Sequence, residues 1–92
     1  MKRDALVQAL RETRELVARS DNDYAWSPWE NREAALREMD ALIARVLSGA
    51  VPDATQLGAL FAPTGPLQEV SLSSGWADAF LDLANRIDGA MR

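Results

Sequence analysis

An all-α domain is the fold class that three observations predict. Apolar residues recur at three- and four-residue spacing in separate stretches, cap and stop residues bracket those stretches, and a seven-residue, turn-rich connection makes the first two helices antiparallel neighbours. The expected architecture is a small helical bundle: two long antiparallel helices, a short third helix, an ordered neutral loop and a fourth helix. Without repeats, low-complexity tracts or an interdomain linker, residues 1–92 read as a single all-helical domain.

Residues 3–20 are expected to form the first helix, with Leu6, Ala9, Leu10, Thr13, Leu16 and Val17 on one face and Arg11, Glu12, Glu15 and Arg19 outside it. Glu15–Arg19, Glu33–Arg37 and Asp82–Arg86 are i,i+4 pairs in the favourable order. Each is worth only a few tenths of a kcal/mol and reads as part of a solvated face. The connection Ser20 to Trp26 holds Asp21, Asn22 and Asp23, which favour turns by bonding their own backbone. Asp21 and Asp23 also resemble the opening of a calcium loop. That loop needs oxygen ligands at its fifth and twelfth positions and Gly at its sixth, and here Ala25, Arg32 and Trp26 stand there.

The second helix is expected to run from Ser27 to Gly49 and to organise the rest. Ser27-Pro28-Trp29-Glu30 matches a capping box with Pro at N1, Gly49 suits a left-handed C′ position, and Pro52 forbids continuation. Trp29, Ala35, Leu36, Met39, Leu42, Ile43, Val46 and Leu47 fall within roughly 140° of its wheel, wider than a coiled-coil seam. Such a helix needs more than one neighbour.

Asp53 can cap a third helix from Ala54 to Ala62, with Leu57, Leu60 and Phe61 on one side, and Pro63 ends it. From Pro63 to Ser74 the periodicity breaks, so the segment is expected to be mostly loop, with at most one turn begun by Pro66. Between Ala54 and Ala77 only Glu69 is charged, which means this stretch lies over its own core or under a partner. Ser73 or Ser74 is expected to cap the last helix, whose stripe is Trp76, Phe80, Leu83, Ala84, Ile87 and Met91.

Composition removes most chemistry. There is no Cys and no His, so disulfides, thiolate sites, the usual neutral-pH base and the commonest metal ligand are absent. No carboxylate pair such as Glu38 with Asp40, or Asp78 with Asp82, faces the predicted interior. A non-enzymatic fold that needs no metal or cofactor is therefore expected. Charged residues interrupt every apolar run, so no membrane span is expected, and the reading is cytoplasmic. Ten basic against fourteen acidic side chains give a net charge of −4, which disfavours nucleic acid. A helix-turn-helix across Leu60 to Pro66 fails because Phe61 is too bulky, Pro63 breaks the first helix and the recognition segment has no Lys or Arg.

What remains is a protein–protein interaction or self-association module, with a homodimer as the expected assembly and an otherwise unknown protein partner. The alternative is a nucleic-acid-associated regulator, for which salt-dependent binding to generic DNA is the discriminating test. If one patch carries function, it is expected at the hinge of the first two helices, on Asp23, Tyr24, Trp26 and Arg32. There an aromatic residue without a local staple partner, an Arg on an apolar face and acidic turn residues lie close in sequence. Trp29, on the face of Leu36 and Ile43, is expected in the core. Arg32 either pairs internally with Asp21, Asp23 or a carboxylate of the last helix, or is presented to an anionic group on a partner.

Overall fold

The computed structural model describes residues 1–25, 27–50, 52–62 and 65–92. Among the described residues the fold is all-helical, with five helices and no strand: α1 (Arg3–Val17), α2 (Arg32–Leu47), α3 (Ala54–Leu60), α4 (Pro66–Ser74) and α5 (Ala77–Met91).

The central element is α1, which packs along both α2 and α5. Cross-links fix it antiparallel to each. On the α2 side Arg3 Nη2 reaches Gly49 O at 3.4 Å, Arg14 binds Asp40, and Arg32 reaches Ala18 O. On the α5 side Lys2 N donates to Ala90 O at 2.7 Å and Glu12 accepts from Arg86. Leu6, Ala9, Leu10, Thr13 and Val17, spaced by three or four residues, are fully buried, and Val7 widens the stripe toward a second neighbour. Thr13 sits in this apolar row because its hydroxyl donates to Ala9 O one turn back, at 2.9 Å. The expectation that the second helix organises the fold is thus corrected: α2 packs helix-to-helix on α1, whereas α1 packs on α2 and α5, and α5 in turn on α1 and α4.

The start of α2 is also corrected, from Ser27 to Arg32. Asn31 is its N-cap, with extended backbone and a side-chain oxygen accepting from Ala34 N at 2.9 Å. The Ser27 hydroxyl instead donates to Tyr24 O at 3.1 Å and accepts from Trp29 N at 3.2 Å, closing a bend that turns Trp29 into the core. A paired comparison checks this: Asn31→Ala should cost about 1 kcal/mol, as loss of a cap does, in urea unfolding followed by circular dichroism. Ser27→Ala should leave the helical signal unchanged. Loss of helix in Ser27→Ala and none in Asn31→Ala would restore the earlier start.

The far end of α2 is as expected. Gly49 has φ +92°, Gly49 N donates to Val46 O and Ala50 N to Arg45 O, which is the Schellman arrangement. Ala35, Met39, Leu42, Ile43 and Val46 are buried, whereas Leu47 at the stripe's edge is 55% exposed.

Asp53 caps α3 through Thr55 N and Gln56 N. The helix stops at Leu60, two residues short of the expected end, and α1 likewise stops at Val17, short of residue 20. The loop expected from Pro63 to Ser74 is, from Pro66 onward, the nine-residue α4. Pro66 takes the first helical position, where its missing N–H costs nothing, and Gly75 closes the helix at φ +85°. Gly65 before it passes so close to the end of α3 that a Cβ would collide with Ala59 O and press on Leu60 O and Ala62 O at 3.1 and 3.2 Å. Leu67, Val70 and Ser71 are buried, so α4 lies over the core, while Leu72 on its other side is 60% exposed. Neither Ser73 nor Ser74 caps the last helix, because both belong to α4; α5 begins after Trp76 with no side-chain cap. Trp76, Phe80, Leu83, Ile87 and Ala90 form its buried face, and Phe80 stacks on Phe61 with ring centroids 6.2 Å apart.

Candidate interaction surfaces

At the hinge end, α1 stops with its last carbonyls pointing toward the connection to α2. Such carbonyls have no partner within the helix. Asn22 supplies one: its amide nitrogen donates to Leu16 O at 2.7 Å and Val17 O at 3.0 Å, while its oxygen accepts from Trp76 Nε1 at 2.9 Å. Tyr24 adds its hydroxyl to Val17 O at 2.5 Å. Half-burial pushes the Tyr24 hydroxyl above its ordinary pKa, which keeps it a donor. Asp23 N donates to Ser74 Oγ at 2.9 Å, and the Asp23 carboxylate folds back onto Ala25 N.

Of the residues expected to form a functional patch, Tyr24 is therefore turned inward and Asp23 is exposed but occupied by its own turn. Arg32 is the first residue of α2, and its guanidinium meets Ala18 O at 3.3 Å and Glu33 at 3.5 Å. Placed at the C-terminus of α1, it complements that end of the helix dipole rather than pairing with Asp21, Asp23 or a carboxylate of α5. Its side chain stays 39% exposed. Trp26 lies outside the described residues. The structure brings Tyr24 and Arg32 together around the end of α1 and adds Asn22 and Trp76, which sequence reasoning left out. Trp76 is distant in sequence, whereas Asn22, five residues beyond the end of α1, was legible only as a turn former.

A second surface is a groove of about 270 Å³ between α3 and α5. Leu57, Phe61, Ile87 and Met91 give it apolar walls, Ala54, Gly58 and Ala84 keep it wide, and Asp88 is the charged residue lining it. A Cβ on Gly58 would meet nothing within 4 Å, so the groove is open where the small residues lie. Leu81 is 55% exposed and lies one helical turn before Ala84 and two before Asp88 on the same side of α5.

Electrostatics is concentrated between helices. Arg86 makes a two-pronged contact with Glu12, at 2.9 and 2.6 Å, joining α5 to α1, and Arg14 does the same for α1 and α2 through Asp40. The hydrogen bonds from Arg86, then Gln8, hold the Glu12 carboxyl at a pKa of about 2 against an ordinary 4.5. A depressed folded-state pKa stabilises the fold above the unfolded value, and that contribution disappears as pH falls from about 4.5 toward 2. The melting temperature should accordingly hold steady from pH 7 to about 5 and drop below that. Glu12→Gln should flatten part of the drop; an identical acid profile for both proteins would show that the pair is silent in solution.

Among the described residues, no group of three or more His, Cys, Asp or Glu is arranged to hold a metal, and no helix is long and apolar enough to cross a membrane. No family model, no curated protein and no solved structure matches this chain significantly.

Proposed function

We propose that this protein is a non-enzymatic protein–protein interaction module, working through the groove between α3 and α5. The observation that supports it is a groove walled by Leu57, Phe61, Ile87 and Met91 with Asp88 as its one charged lining residue, whereas the other grooves among the described residues are each lined by two or more charged side chains. Met1, Leu47, Leu72 and Leu81 are the exposed large apolar side chains among the described residues, and none of them lines this groove. With neither His nor Cys in the sequence, no residue set favours catalysis, and no observation favours the nucleic-acid reading.

Homodimer formation is one form of this reading. Sedimentation at micromolar concentration, paired with co-purification from the source cells, tests it for wild type and for Gly58→Leu, which fills the groove. A dimer, or a partner chain retained by wild type and lost by Gly58→Leu, is the expected result. A 10.1 kDa monomer that brings down no chain in either form would end the interaction reading.

A further inference from the structure

We infer that α3 is a flap: it opens from the bundle as a unit of its own, to a degree set by Gly58, and uncovers apolar side chains that the closed form hides. This goes beyond the interaction reading, since the opening belongs to the free chain whether or not a partner binds.

Length and packing carry the first part. α3 has seven residues, fewer than the roughly twelve at which an isolated helix becomes even marginal in water, so it persists through packing alone. Yet among the described residues it packs helix-to-helix on α4 only, and its side toward α5 borders the groove of about 270 Å³. What holds it closed is a short set of contacts. Leu57 and Leu60 are buried, Phe61 stacks on Phe80, Gln56 accepts from Arg45 at 2.9 Å, and Gly65 passes close to its last turn. A segment with few buried apolar contacts and space beside it is the kind that opens at less cost than the whole fold.

Gly58 carries the second part. It stands in the middle of α3, its φ is not left-handed, and a Cβ there would meet nothing within 4 Å. Neither backbone conformation nor packing within the chain requires glycine at this position. Its effect on the chain is to weaken α3, by about two- to fivefold in the balance of closed and open forms relative to Ala. When α3 lifts, Leu57 and Leu60 lose their cover and Phe80 loses its stacking partner, beside the Ile87 and Met91 that already line the groove.

Hydrogen exchange followed by NMR, at urea concentrations below the unfolding transition, tests this. The amides of Leu57 and Phe61, which donate to Asp53 O and Leu57 O, should exchange about tenfold or more faster than that of Leu10 in α1. They should also share one urea dependence, shallower than that of Leu10, because a partial opening exposes less surface. Gly58→Ala should slow the α3 amides by about two- to fivefold. Asn31→Ala removes a cap at the far end of α2 and should speed Leu10 by about fivefold while leaving the α3 amides unchanged, because α2 stays folded when the flap opens. Val17→Ala, in the core of α1, serves the same end should Asn31→Ala leave Leu10 unmoved. Protection of Leu57 and Phe61 equal to that of Leu10, or exchange of all three quickened alike by the distant variant, would overturn the flap. Exchange of the two α3 amides without a common urea dependence would overturn it too, as independent local fluctuations. Indifference of the α3 amides to Gly58→Ala would overturn the part assigned to Gly58.

Discussion

Leu10→Ala is expected to lose about 2–5 kcal/mol of stability, the range for truncating a fully enclosed aliphatic side chain in a core that cannot collapse onto the gap. Leu10 is 0% exposed, on the helix that packs against both α2 and α5. A cavity at this point opens inside the single hydrophobic cluster to which all five helices contribute. For a domain whose total stability is about 5–15 kcal/mol, that is a large share, and for one of this size it corresponds to a fall in melting temperature on the order of ten degrees or more. Leu47→Ala is the control. Leu47 belongs to the same sequence-level apolar pattern on α2 but is 55% exposed, so its truncation should stay within about 0.5 kcal/mol. Urea unfolding followed by circular dichroism measures both. A Leu10→Ala loss under 1 kcal/mol would mean that α1 does not hold the bundle's centre.

That contrast shows where local pattern stops being informative. The stripe on α2 is wide on the wheel, yet width counts candidate contacts and not the neighbours that arrive. Which helix becomes central depends on how the connections return the chain, and the return of α5 alongside α1 is written in pairs far apart in sequence: Lys2 with Ala90, Glu12 with Arg86, Asn22 with Trp76. The helices with strong local signals were legible: α1 and α5 from their apolar spacing, α3 from the Asp53 cap, and the end of α2 from Gly49.

The two largest misreadings, the start of α2 and the missed α4, have physical reasons. Ser27-Pro28-Trp29-Glu30 has the residues of a capping box, but the Ser27 hydroxyl is drawn to Tyr24 O and Trp29 N once Trp29 turns into the core. Asn31 caps without the acidic N3 partner that would have advertised it, since Ala34 stands there. In α4, Pro66 and Gly75 mark both ends, whereas the residues between them carry little amphipathic contrast. The helix depends on Gly65 passing against the end of α3, a backbone approach that no local pattern encodes. The groove between α3 and α5 was illegible for a related reason: its two walls are about thirty residues apart, and small residues read locally as helix formers rather than as space.

Asn22 gives the sharpest test of the long-range pairing. Its side chain holds Leu16 O and Val17 O on one side and Trp76 Nε1 on the other, so Asn22→Ala uncaps α1 and leaves the indole N–H of a residue only 4% exposed without its partner. A lost cap costs about 1 kcal/mol and an orphaned buried donor about 1–3, which together predict a loss of about 2–4 kcal/mol. Asn22→Asp separates the two roles. It can still accept from Trp76, but it sets a carboxylate against two carbonyls at the negative end of a helix, so it should be at least as damaging as Asn22→Ala. Trp76→Phe completes a double-mutant cycle in urea unfolding: with no indole N–H to orphan, Asn22→Ala should cost less in that background by about 0.5–3 kcal/mol. Equal costs in both backgrounds would reduce Asn22 to a local cap on α1 and remove the tie by which the hinge of the first two helices is fastened to α5.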